Sequence, residues 1–188
     1  YKFVKQMTES TPSGLNKVTQ LNMTYEDIDS NDIPDLITET VTVNNKTTTL
    51  AHNTLQTQKV VTSPEGRTVT TIYNPSTLLT ERVSVPGLFD TSYGYDTRGR
   101  LTSITTNTRQ STYGYNAQGF LESVTDPGNQ TTTYSYDAGG RQIEVSYPND
   151  IISTIIYDAA DQVLDIEYSD IGGPIESYSY TYDPVGNR

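Results

Sequence analysis

The feature that most constrains this chain is a phrase that returns about every 21 residues. Read back from the C-terminus it is YDPVGNR at 182–188, YDAADQV at 157–163, YDAGGRQ at 136–142, YNAQGFL at 115–121 and YDTRGRL at 95–101. A weaker copy, YNPSTLL, opens at Tyr73, and HNTLQTQ at 52–58 fits the next register, with His52 in the tyrosine position and Asn53 in that of the acid. From His52 the steps are 21, 22, 20, 21, 21 and 25 residues. A period so steady marks one small supersecondary unit used repeatedly, too small to enclose a core of its own.

Each unit carries two turn signals. The first is the Asp/Asn-x-x-Gly phrase, in which the acid or amide bonds nearby backbone and Gly99, Gly119, Gly140 and Gly186 accept positive φ. The second sets Pro beside Gly, Asn or Asp, as in SPEGR at 63–67, DPGNQ at 126–130 and YPND at 147–150. Between the turns the runs alternate with period two. Thr132, Tyr134 and Tyr136 share one face and Thr133, Ser135 and Asp137 the other; Tyr178, Tyr180 and Tyr182 oppose Ser179, Thr181 and Asp183. Two strands of ~5–7 residues and two short connections fill the period. The expectation is an all-β fold of tandem β-hairpins chained into one long, curved antiparallel sheet. One coil of a parallel β-helix would also suit the period, but Asp-x-x-Gly signals favour hairpins. The tyrosines that open the repeats, at Tyr73, Tyr95, Tyr115, Tyr136, Tyr157 and Tyr182, are expected to stack on their counterparts across strands.

Composition narrows the function. Lys plus Arg number 12 against 23 Asp plus Glu, a net charge of −11. That balance opposes a nucleic-acid binder, which needs a cationic footprint, and an anionic membrane surface. No apolar run is long enough to span a bilayer and no signal peptide is visible. With no Cys and a single His, thiolate sites, disulfides and any pair of histidines are excluded.

Candidate sites are few. Asp27, Asp29 and Asn31 have the alternating spacing that lets side-chain oxygens converge on Ca²⁺, and Asp35 could add another oxygen; Asp32 and Thr38 stand where an EF-hand loop needs Gly and Glu. A solvated acidic loop is the simpler reading. Asp165 and Glu167 share a strand face, as surface carboxylates routinely do, without the facing partner that glycoside hydrolysis needs. His52 is in register with the repeat tyrosines and reads as their substitute. Asn22, Asn45 and Asn129 head sequons that the abundance of Thr explains by chance. No cofactor signature occurs, and the chain is not expected to be an enzyme. The best binding surface is the tyrosine rows, where Tyr93, Tyr113, Tyr134, Tyr178 and Tyr180 would face a glycan together with Tyr95, Tyr115 and Tyr136. Packing of those rings across strands is the plainer alternative.

The phrases Y-D-x-x-G-R-L, T-D-P-G-N-Q-T-T-T-Y-S-Y-D and T-S-P-E-G-R-T resemble the YD-repeat, or Rhs-repeat, family. The resemblance runs over residues 38–188, read as the repeat sheet with about six to seven repeats, the last truncated. Residues 1–37 are read as a degenerate N-terminal part of the array or a connecting segment. Asp161, Ser76, Thr77 and His52 depart from the pattern. The resemblance implies a segment of a hollow β-shell in a large extracellular or cell-surface protein, bacterial in toxin-type members. Its partners would be the remainder of a longer chain and an enclosed C-terminal cargo; carbohydrate-binding adhesion is the alternative function it implies. The Asp183–Gly186 phrase resembles half of a self-cleaving aspartate motif, but DPxG also occurs in ordinary repeats, and Asp126–Gly128 is a similar incomplete phrase.

Overall fold

The computed structural model describes residues 2–10, 16–31, 33–183 and 185–187, with side chains at 7–9 and from 18 onward. Among the described residues every regular element is a β-strand, and strand order follows chain order without a crossover. None is a helix long and apolar enough to cross a membrane. The chain divides into two compact units, one running up to Arg100 with Thr105–Thr108, the other comprising Leu101–Ile104 and the residues from Arg109 onward.

The first unit holds β1 (Lys2–Ser10), β2 (Asn16–Glu26), β3 (Leu36–Val43), β4 (Lys46–Asn53), β5 (Gln58–Thr62), β6 (Thr68–Tyr73), β7 (Thr80–Ser84) and β8 (Thr91–Tyr95). All pairings are antiparallel between sequence neighbours. The β3–β4 turn is the two-residue Asn44-Asn45, with φ of 49° and 65°. Those are the mirror-image turn angles that match strand twist, and Asn tolerates them best after Gly. Directly opposed residues share a face. One row reads Met23, Glu39, Leu50, Val61, Val69; the row on the other face reads Asn22, Thr40, Thr49, Thr62, Thr68. Along these two rows alternation gathers Met, Leu and Val with Glu39 on one side and Asn22 with threonines on the other.

The second unit takes in part of β9 (Leu101–Thr106), then β10 (Arg109–Tyr115), β11 (Leu121–Thr125), β12 (Thr131–Tyr136), β13 (Gln142–Ser146), β14 (Ile152–Tyr157), β15 (Val163–Asp170) and β16 (Gly173–Ser179). In β12 the Tyr face is half-buried and the Thr/Ser face exposed. Across the unit the Tyr134 row continues as Val145, Ser153, Tyr168 and Glu176, while Ser135 is followed by Glu144, Thr154, Glu167 and Ser177 on the opposite side. Among the described residues Val145, at 6% exposure, is the only buried apolar side chain. Cohesion within each unit therefore comes from strand ladders, turns and cross-strand pairs.

Candidate functional site

The repeating phrase builds one turn several times over. At 96–100 the Gly99 amide donates to the Asp96 carbonyl (3.0 Å) and the Asp96 amide to the Arg100 carbonyl (2.9 Å). Asp96 Oδ1 accepts from the amides of Arg98 (2.9 Å) and Arg100 (3.0 Å). Asp137 does the same with Gly139 and Arg141, Asp158 with Ala160 and Gln162, and Asp183 with Val185 and Asn187. Asn116 accepts from Gly119 and Phe120. This is the three-residue hairpin loop closed by a left-handed residue, and Gly99, Gly119, Gly140 and Gly186 sit at φ of 79°, 101°, 85° and 87°. Beside the turn the register shifts by one at Tyr73, Tyr115, Tyr136 and Tyr157, the extra residue lying on the returning strand at Glu81, Glu122, Ile143 and Leu164. In the YNPSTLL copy the left-handed residue is Leu78 (φ 59°), one position beyond Thr77, so that turn is one residue longer than the others.

Charge settles where the turn gathers donors. Asp96 is held below the ordinary carboxylate range chiefly by the Arg100 amide. Asp137 is lowered first by the Arg141 guanidinium and Asp183 first by the Asn187 side chain. Each carboxylate is stabilised in its ionised form by the donors it collects.

The repeat tyrosine reaches back to the preceding repeat. Tyr115 Oη donates to the Leu101 carbonyl (2.9 Å), Tyr136 to Leu121 (2.8 Å), Tyr157 to Gln142 (2.9 Å) and Tyr182 to Val163 (2.9 Å). Every acceptor lies six residues beyond the previous repeat's tyrosine, so one rule links successive units. The expected tyrosine stack is not what forms. Repeat tyrosines occupy every second strand, about 9–10 Å apart, beyond the 4.5–7 Å at which rings pair. The ring pair that does form is Phe120 on Tyr136, with centroids 5.0 Å apart and planes at 30°.

A second link, absent from the sequence reading, is carried by the residue after the turn's left-handed position. Four such side chains, Leu79, Phe120, Arg141 and Gln162, reach the corresponding position of the next turn. Phe120 covers Gly140, where an added Cβ would lie 2.6 Å from the ring, and Gln162 covers Gly186. In the longer turn Leu79 covers Gly99. Arg141 bonds Asp137 through Nε (2.7 Å), donates from Nη1 to the Asp158 carbonyl (3.1 Å) and Asp161 Oδ1 (2.7 Å), and lies 4.9 Å from the Tyr157 ring centroid. Asp161, at φ 63°, stands where glycine is usual and receives Arg141.

The acidic segment folds round Asp35. This carboxylate is 3% exposed, and its Oδ2 accepts the amides of Ile28 (2.8 Å) and Asp29 (3.1 Å) while its backbone ties Glu26 to Thr54. Asp27, Asp29 and Asp35 each offer an oxygen within 4.8 Å of the others, a set of hard ligands suited to a divalent cation. Asn31, exposed, brings donors instead, its backbone amide to Asp27 Oδ1 and Asp29 Oδ1 and its Nδ2 to Asp29 Oδ2, while its Oδ1 accepts from the Ile33 amide. Asp32 lies outside the described residues.

Tyr93, Tyr113, Tyr134 and Tyr180 are half-buried, whereas Tyr178 is 43% exposed. Asp165 and Glu167 do share a face; Asp165 Oδ2 accepts from Ser179 (3.1 Å), and Glu167 stands between Thr154 and Ser177. His52 lies opposite Ile37 and Lys59. Asp183 and Asp126 are both committed to turn amides, and Pro184 lies outside the described residues.

Comparison with known proteins agrees with this architecture. No curated protein matches the chain. Among solved structures, a Photorhabdus luminescens Tc holotoxin pore aligns with a TM-score of 0.54 at 14% identity, covering 97% of this chain. The crystal structures of TcdB2–TccC3–Cdc42 and of TcdB2–TccC3 without its hypervariable C-terminal region align at 0.57 and 0.55, again at 14% identity. This chain spans 11% of the length of those chains. The family model described as Teneurin YD-shell matches residues 6–170. Strand order, repeated turns and that match together place this chain in the Teneurin YD-shell family, as a structural segment of its β-sheet shell.

Proposed function

We propose that this chain is a non-catalytic wall segment of an extracellular YD-repeat shell that encloses or displays a cargo region of the same longer polypeptide. The observation that carries the reading is the tyrosine link, in which the repeats opening at Tyr115, Tyr136, Tyr157 and Tyr182 are each bolted to the one before by the same hydroxyl-to-carbonyl bond. Such a strip is stiff along its length and has almost no interior, so it does its work as a wall. Support comes from the Teneurin YD-shell match and from neighbours described as Tc toxin assemblies, one of them lacking a hypervariable C-terminal region. The same reading places the chain in an extracellular bacterial setting, and a neighbour described as a Photorhabdus luminescens Tc holotoxin pore supports it. Intact-mass measurement on the protein from its native source tests it. A parent hundreds of residues longer, with a protease-protected region inside it, is the expected result; a stable native species near 20.8 kDa overturns it.

A second reading, carbohydrate binding, is favoured at one place. Tyr168, Tyr178 and Glu176 line an opening of about 400 Å³, aromatic faces beside a carboxylate as sugar recognition uses. A glycan screen with Tyr178→Ala as control separates the readings, since a shell wall needs no such binding.

A further inference from the structure

The second unit reveals what the gap between two successive turns can hold. Between the turns at 137–141 and 158–162 the chain's own Arg141 guanidinium lies over the Tyr157 ring and bonds the Asp158 carbonyl and the Asp161 carboxylate. A planar cation thus meets an aromatic face, a backbone acceptor and a carboxylate, the combination that selects guanidinium.

The equivalent gap in the first unit has no arginine in that place. There the bridging residue is Leu79, Tyr95 stands where Tyr157 does, Asp96 where Asp158 does and Gly99 where Asp161 does. The result is a cavity of about 320 Å³ whose lining also includes Tyr93, Asn74 and Glu81. Asp96 is held by Arg100 through two 2.7 Å contacts. Glu81 is exposed and accepts from Asn74 Nδ2 (2.8 Å), and among the described residues it has no cationic partner. Glu81 supplies here the carboxylate that Asp161 supplies to Arg141.

We propose that this cavity is a binding site for a guanidinium group, filled by an arginine side chain from another peptide segment. The net charge of −11 favours the approach of such a cation. The inference depends on the cavity's own residues and stands apart from the shell reading. A similar opening near Asp158, Tyr180, Tyr182 and Asp183, where Gln162 replaces arginine, has Leu164 where this cavity has Glu81, and its two carboxylates both serve turn amides.

The test is residue-resolved NMR of the 188-residue chain titrated with acetyl-Gly-Arg-Gly-amide, following the Asp96, Thr97 and Gly99 amides. Saturable shifts centred there are expected, with the citrulline peptide, which keeps the shape but not the charge, giving none. Glu81→Gln should weaken binding about tenfold, the loss of one charge-assisted contact. Leu79→Arg, which supplies the guanidinium in cis, should abolish it while the rest of the spectrum stays in place. Equal shifts with citrulline overturn the proposal, as does an unchanged affinity in Glu81→Gln or undiminished binding in Leu79→Arg. Shifts centred instead on Tyr180–Asp183 overturn the choice of site.

Discussion

Gly140→Ala tests the link between turns most directly. Gly140 has φ 85°, and a Cβ built there would lie 2.6, 3.2 and 3.4 Å from three Phe120 ring atoms. Two costs therefore add. Holding a non-glycine residue at positive φ costs about 1–2 kcal/mol. Forcing the Phe120 ring aside costs a further ~1–3 kcal/mol, as overpacking does, because the ring is sandwiched against Tyr136. Gly66 supplies the control, since its φ is 78° and nothing lies within 4 Å of an added Cβ. Gly66→Ala should lose only the first cost. In urea denaturation Gly140→Ala should be less stable than Gly66→Ala by about 1–3 kcal/mol, or roughly 2–12 °C in Tm at this chain length. Placing Gly140→Ala in a Phe120→Ala background should shrink its cost to that of Gly66→Ala. Equal losses at the two glycines, or an undiminished cost without the ring, would refute the idea that Phe120 bridges the turns.

Tyr136→Phe and Tyr157→Phe each delete one hydroxyl-to-carbonyl link and should lower unfolding free energy by about 1 kcal/mol in urea titrations; unchanged midpoints would dismiss the link as incidental. Asp35→Ala strips the acceptor from two loop amides beneath a nearly closed surface, so a loss of about 2–3 kcal/mol is expected, with the damage confined to amide exchange around Glu26–Asp35 and Thr54. Acid should act through Asp96, Asp137 and Asp183. Their folded pKa values lie below the unfolded value of about 3.9, so the stabilisation is complete above that value and is lost as pH falls through the lower folded ones. Thermal melts should thus hold steady from pH 7 to 5 and decline below about pH 4, and Asp96→Asn with Asp137→Asn should flatten that decline. Asn116, which accepts two amides of the same turn, those of Gly119 and Phe120, without titrating, indicates that the turn itself survives such changes.

How much of this could be read beforehand depends on range. Local chemistry was legible: the Asp-x-x-Gly phrase specifies its own turn within five residues, and alternation in TTTYSYD specifies which side chains share a face. What lay across a strand was not. Two strands per period already set one strand between successive tyrosines, too far for ring stacking, so the stack expected of the tyrosine row does not follow from the hairpin reading itself. The tyrosine hydroxyl's acceptor is a backbone carbonyl, which leaves no mark on residue identity. The bridging position was visible only as a variable letter, Leu, Phe, Arg or Gln, though its pairing with the next turn had one trace. Asp161 breaks the glycine pattern one repeat after Arg141, and the two are ion-paired at 2.7 Å. Asp35 was noted as a possible ligand, whereas its burial and its two amide bonds depend on β3 and β4 closing over the loop.

The order of the strands bears on how the chain acquires its structure. In each unit a strand finds its partners immediately before and after itself, so pairing never waits for a distant segment to arrive. Loop closures stay short and each costs little entropy, which favours rapid, stepwise growth from any formed hairpin. As each tyrosine hydroxyl finds an acceptor one repeat back, a newly formed hairpin is fastened by residues already in place. A polypeptide emerging end first from a ribosome or a secretion channel can therefore zip up behind its own leading edge, and the most recently added hairpin is the first to come undone.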